Sequence, residues 1–273
     1  MKLSKSNQML TYFAVVLFSA YFMAPFIWMI LTALKSPGEV NSYPPTFLPR
    51  SFQWRNFIDA WQSQPFGVYL KNSILVTVLT TFGQILSCSL IAFGFARYDF
   101  KYKNILFMLL LASMMLPWDV TMIPLYMQFN MMGWINTLKP LIVPAFFGSP
   151  YYIFLLRQFL MNIPHDIENA AKIDGANDFQ IYYKIFLPIM KAPLVLIGIL
   201  NGLTVWNDYL GPLIFLQDRS KYTLALGLAA FKGVNTTNII PIMCITILMV
   251  IPPVLIFFFA QKYIIEGVSG AIK

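Results

Sequence analysis

The stretch Asn162–Pro193, NIPHDIENAAKIDGANDFQIYYKIFLPIMKAP, is a charged island in an otherwise apolar sequence. It carries Asp166, Glu168, Lys172, Asp174, Asp178, Lys184, Lys191 and the only histidine, His165, between apolar runs that end at Leu156 and resume at Ala192. That density of charge requires water. Its local chemistry predicts two short helices set at an angle. Pro164 suits a first helical turn, where its missing N–H is an orphan anyway, and Asp166 and Glu168 favour the positive end of that helix. Gly175 fits a C-terminal cap, because glycine takes the left-handed conformation without steric cost. Asn177 followed by Gln180 reads as a capping box opening the second helix, which Pro188 would end or kink. Ala170, Ala171 and Gly175 give the first helix small side chains on neighbouring faces, so another protein's backbone can approach closely. Glu168 and Asp174 would then supply charges at the rim. The expected result is a docking peg outside the membrane.

Around this island lie 273 residues of which 58% are hydrophobic and 11% charged, with a mean hydropathy of +0.67. That composition lies far from soluble proteins and predicts an all-α, polytopic membrane protein forming one transmembrane domain over 1–273. The net charge of +8 does not point to nucleic acid. The cations are scattered over short loops, no basic stripe interleaves with aromatics, and membrane topology accounts for them. Cys88 and Cys244 each lie inside an apolar run, which reads as packing and implies neither a disulfide framework nor a metal site.

Six membrane crossings are expected, at about 9–34, 69–96, 104–127, 140–159, 187–216 and 239–264, with the charged loop at 162–186 between the fourth and fifth. Lys2 and Lys5 precede the first, which exceeds a signal-peptide core and lacks an A-x-A cleavage signal, so it reads as an uncleaved helix. The connection Lys35–Val68 is rich in proline and aromatics and suits a short interfacial element such as Gln53–Ser63, outside the cell. Arg97, Lys101 and Lys103 form the strongest positive-inside signal, which places both termini in the cytoplasm. Asp119, between Pro117 and Pro124, reads either as a functional intramembrane acid or as a solvated residue at the outer interface. Pro144, Gly148, Ser149 and Pro150 predict a broken fourth helix whose freed backbone groups need protein or a water-filled cavity.

The run ENAAKIDGA, followed by Ile185, Leu187 and Pro188, resembles the EAA loop of the integral membrane subunits of ATP-binding-cassette importers. In that pattern E-A-A is followed by three residues, G, nine residues and I-x-L-P. Ala170, Ala171, Gly175, Ile185, Leu187 and Pro188 fall in register. Asn169 stands where the family most often has glutamate, with Glu168 just before it as the available replacement. The longer form IPHDIENAAKIDGA is most similar to the carbohydrate-uptake permeases of the maltose type. The resemblance extends to LPWDVTMIPLY at Leu116, WNDYLGPLIFL at Trp206 and YTLALGL at Tyr222. It implies a permease subunit in the bacterial cytoplasmic membrane, paired with a second permease and two ATPase subunits. An extracellular binding protein would deliver a sugar or oligosaccharide. It further implies that Glu168, Asn169, Ala170, Ala171, Asp174 and Gly175 form a cytoplasmic coupling helix. ATP and Mg would be bound by the partner subunits and no cofactor by this chain.

The residues themselves agree with a pathway that lacks its own motor. There is no G-x-x-x-x-G-K-[ST] loop to cradle phosphates, His165 stands alone, and the spans carry no paired carboxylates for a proton relay. An enzyme is not expected. Substrate contact is sought at Trp206, Asn207 and Asp208, with Tyr151 and Tyr152 second, because amide and carboxyl groups meet sugar hydroxyls and aromatic rings meet their C–H faces. The competing reading of the trio is an interfacial anchor. Alternative functions are a permease for another delivered solute, such as glycerol phosphate, and a stand-alone channel.

Overall fold

The computed structural model describes residues 5–231 and 238–270, and every regular element among them is helical. Lys2, counted above in the positive amino-terminal flank, lies outside them. Four helices are long and apolar enough to cross a bilayer: Gln8–Ala33, Phe66–Arg97, Lys139–Met161 and Ile239–Lys262. Two further stretches are helix pairs, Lys103–Met115 with Trp118–Met131 bent by 100°, and Asp178–Ile189 with Lys191–Trp206 bent by 73°. By length and composition the described residues thus offer four candidate crossings, or up to six if each bent pair makes one.

The bent pairs show that two of the expected spans are not single straight helices. The run 104–127 breaks at Leu116 and Pro117, both in extended backbone, because the residue before a proline is driven out of the helical region. Asp119 follows in the first turn of Trp118–Met131. It is exposed there, and the helix dipole favours a carboxylate at that end. The run 187–216 is not one helix either. It ends at Trp206, and after Asn207–Tyr209 a separate helix occupies Leu210–Phe215.

The expected break in the fourth segment is present. Lys139–Ile142 is α-helical, Val143–Phe147 tightens to 3₁₀, Gly148 takes φ +85°, and Pro150–Met161 resumes the α-helix. The freed backbone groups find partners on the Phe66–Arg97 helix. Ser87 Oγ donates to the Ala145 carbonyl at 3.2 Å and the Ser149 N–H donates to Cys88 Sγ at 3.2 Å. Cys88 therefore hydrogen-bonds as well as packs.

The chain divides into two compact units, one taking in residues up to Phe66 with Leu228–Ile251, the other Gly67–Gly227 with the chain from Pro252. In the first unit the connection after the first long helix is fastened by polar groups. Buried Lys35 lies 4.6 Å from the centre of the Trp28 ring and donates to the Thr46 carbonyl. Asn56 Nδ2 donates to the carbonyls of Ala33 and Lys35 at 2.8 and 2.9 Å. The helix Arg55–Gln62 falls inside the expected Gln53–Ser63 element. In the second unit, Cys88, Phe93, Leu156, Tyr182, Phe186 and Met190 belong to one buried cluster, which fastens the charged island to two of the long helical segments.

Candidate functional site

The island's first helix is Asp166–Ile173. Asp166 and Glu168 occupy its first turn and Lys172 its last, the order that complements the helix dipole. Gly175 takes φ +80°; its N–H donates to the Lys172 carbonyl at 3.1 Å and that of Ala176 to the Ala171 carbonyl at 3.0 Å. This pair of bonds is the Schellman closure that a left-handed glycine permits. The second helix opens on a complete capping box. The Gln180 N–H donates to Asn177 Oδ1 at 2.9 Å and the Asn177 N–H to Gln180 Oε1 at 3.0 Å. The chain continues as a π-helix over Ile181–Phe186 and a short α-turn at Leu187–Ile189, then bends at Met190. π-Segments are often found at functional sites.

The helix presents two chemically distinct faces. Glu168 and Ala171 are buried, at 4% and 7% exposure, and Ala171 joins the apolar cluster. Asn169, Ala170, Asp174 and Gly175 are exposed, and Ile173 stands 87% exposed. Beyond the cap, the Phe179 and Tyr183 rings stack nearly parallel at 6.4 Å, both facing outward. The expected coupling set therefore divides. Asn169, Ala170, Asp174 and Gly175 share the outward side, whereas Glu168 and Ala171 turn into their own protein. Glu168 cannot supply a rim charge, nor stand in for a carboxylate at the exposed Asn169 position.

Glu168 is instead held internally. Lys172 Nζ donates to Glu168 Oε1 at 2.8 Å, a bond that keeps the lysine above the ordinary lysine range. The Arg97 guanidinium, itself buried, feels the same carboxylate. Next to it, the Tyr98 phenol is pushed up to about 12, first by burial and then by the neighbouring Asp178 carboxylate. Arg97 was legible only as part of a basic loop, and Tyr98 carried no signal at all; nothing in local spacing marks either as a neighbour of the island.

The second candidate group does not converge. Trp206 is buried and lines an apolar cavity of about 260 Å³ with Thr77, Gly202 and Pro252. Asn207 Nδ2 donates to the Leu203 carbonyl at 2.8 Å. Asp208 Oδ1 accepts from the Gly211 N–H at 3.1 Å, which caps the Leu210–Phe215 helix. Tyr151 is 46% exposed and Tyr152 9%, with ring centres 5.5 Å apart. Trp206 and Tyr152 are thus buried, Asn207 and Tyr151 exposed, and Asp208 accepts from the first turn of the helix that follows it.

The description "binding-protein-dependent transport system inner membrane component" matches residues 84–270, which include the whole island. The chain belongs to that family. It is a multi-pass membrane protein, the non-catalytic permease component of an ABC importer that works with other transporter subunits. This permease is 31% identical over 265 residues to the arabinooligosaccharides transport system permease protein AraQ of Halalkalibacterium halodurans, covering 96% of this chain and 94% of the relative. It is also 31% identical over 273 residues to the melibiose/raffinose/stachyose import permease protein MelC of Bacillus subtilis, covering 99% and 98%. Among solved structures, a permease of a bacterial ABC transporter for the acidic polysaccharide alginate superposes with a TM-score of 0.82 at 20% identity, over 96% of this chain and 99% of that one. At that identity the likeness establishes the fold.

Proposed function

We propose that this permease shapes the membrane route for an oligosaccharide and receives the ATP-driven stroke through the outward side of Asp166–Ile173. A second permease completes the route, two ATPase subunits bind ATP and Mg, and an extracellular binding protein delivers the sugar. Six crossings, one from each bent pair, put both termini and the island's first helix in the cytoplasm and embed the apolar exterior in lipid. The observation that carries this reading is the division of the island helix. One side is locked into the bundle by Glu168 and Ala171, while the other offers Ala170, Gly175 and the protruding Ile173, Phe179 and Tyr183 to a groove. A small-faced helix with an apolar fringe suits a protein groove, and its charged inward side resists being pulled away from the bundle. The relatives named for arabinooligosaccharides and for melibiose, raffinose and stachyose favour a short sugar chain as cargo.

The test is co-expression with the cognate partner subunits and reconstitution in liposomes. ATP-dependent uptake of arabino-oligosaccharides or raffinose-type galactosides is expected only with the binding protein present. Ala170→Arg or Ile173→Asp should release the ATPases during purification. Flux through this chain alone without ATP, or ATPases that stay bound to both variants, would sink the proposal.

A further inference from the structure

Arg97, the last residue of the Phe66–Arg97 helix, is 8% exposed. Its Nη2 donates to two carbonyls, Leu160 at 2.7 Å and Ile163 at 3.0 Å, at the end of the Pro150–Met161 helix and in the turn that follows. The guanidinium lies 4.6 Å from the centre of the Phe186 ring, inside the π-helix. Nη1 is 3.5 Å from His165 Nδ1, at the entrance to the Asp166–Ile173 helix, and the charge senses Glu168 within it. One side chain therefore meets the end of Pro150–Met161, the turn after it, the entrance to Asp166–Ile173 and the π-helix. Nη2 serves the two carbonyls while Nη1 reaches the imidazole and the planar face meets the ring, a spread of donors that lysine's single ammonium nitrogen lacks.

Packing alone does not account for this residue. A buried charge is a poor source of stability, and apolar side chains of similar volume commonly serve as well or better. At the same joint Glu168 Oε2 lies 3.7 Å from His165 Nδ1, so the imidazole stands between the buried carboxylate and the Arg97 guanidinium.

We propose that Arg97 is a positioning residue that locks the Asp166–Ile173 helix to the ends of Phe66–Arg97 and Pro150–Met161, so that a push on the island moves all three as one body. The inference rests on the reading of the island as the ATPase-coupling element.

The test uses the complete transporter in nanodiscs, with spin labels at Ala170→Cys and Leu90→Cys, both exposed positions. The native Cys88 and Cys244 are fully buried. Electron–electron distances are measured without nucleotide and after trapping with ATP and vanadate. With Arg97 present, one narrow distance is expected, the same in both states. In Arg97→Gln the distance should shift or broaden on trapping while ATP hydrolysis continues, and Arg97→Lys should restore the narrow distance only in part. A merely structural residue would lower the yield of assembled complex and leave the distance in the surviving complex unmoved. An unchanged narrow distance in Arg97→Gln overturns the inference, as does a distance that differs between states when Arg97 is present. Should the Gln variant not assemble, an unchanged narrow distance in both states of Arg97→Lys overturns it too. ATPases that never co-purify with the unsubstituted chain overturn the coupling reading itself, whatever the labels report.

Discussion

An added methyl at Gly227 would lie 2.3 Å from Tyr69 Cδ2, and Tyr69 is fully buried, so its ring cannot swing aside. At Gly202 the nearest atoms, on Thr81 and Thr77, lie at 3.8 and 3.9 Å, ordinary contact distances. The two alanine substitutions should therefore act in opposite directions. Gly227→Ala overpacks a filled site and should cost about 1–3 kcal/mol. Gly202→Ala should be neutral or stabilising, because replacing a mid-helix glycine gains up to about 1 kcal/mol of helix propensity. Thermal unfolding in detergent measures both, and a lower melting point for Gly202→Ala than for Gly227→Ala would contradict the packing. Gly175 separates strain from docking. No atom comes within 4 Å of a Cβ built there, but φ is +80°. Gly175→Ala should thus cost about 1 kcal/mol of local order and Gly175→Asn less, since asparagine tolerates the left-handed region. If partner association instead depends on the bare backbone, both variants should lose the ATPases equally in a pull-down.

At the scale of elements, stability turns on how irregular backbone is satisfied. Ser87→Ala removes the 3.2 Å bond to the Ala145 carbonyl at the 3₁₀ stretch, and should lower stability by about 1 kcal/mol, measured by the same unfolding assay. The connection after the first long helix depends on Glu39, whose carboxylate accepts from the Ser36 N–H at 3.0 Å and the Arg50 N–H at 2.6 Å. Those bonds, the Ser36 N–H foremost, hold the carboxyl below its usual range. The anchoring is complete above the ordinary glutamate value of about 4.3 and fades as pH falls through the lowered value. Hydrogen exchange at residues 36–50 should accordingly rise only at acid pH, and Glu39→Gln should show that exchange already at pH 7. The caps of the island were legible in the sequence because Gly175, Asn177 and Gln180 act within a few residues of themselves. The inward turn of Glu168, the anchoring by Arg97 and the end of the fifth segment at Trp206 were not. Each depends on contacts with residues far away in the chain, or on a backbone break where two helical patterns adjoin.

For the whole molecule, exposure carries two meanings that hydropathy separates. Val16 on the first long helix is 67% exposed and Tyr43 in the following connection is 96% exposed. The helix Gln8–Ala33 has a mean hydropathy of 2.1 and none of its most apolar stretch is buried, so its surface needs lipid or a partner's apolar face. Tyr43 belongs to a proline-rich stretch fastened by polar contacts and has no such need. Val16→Asp should then oppose membrane insertion by about 2.5–3.5 kcal/mol, while Tyr43→Asp should leave insertion unchanged. Alkaline phosphatase fused after Gln53 reads this directly, since it is active only outside the cytoplasm. Its activity should fall steeply for Val16→Asp and hold for Tyr43→Asp. Equal activity in the two variants would mean that the first helix does not cross the bilayer, and the assignment of both termini and of the island to the cytoplasm would fall with it.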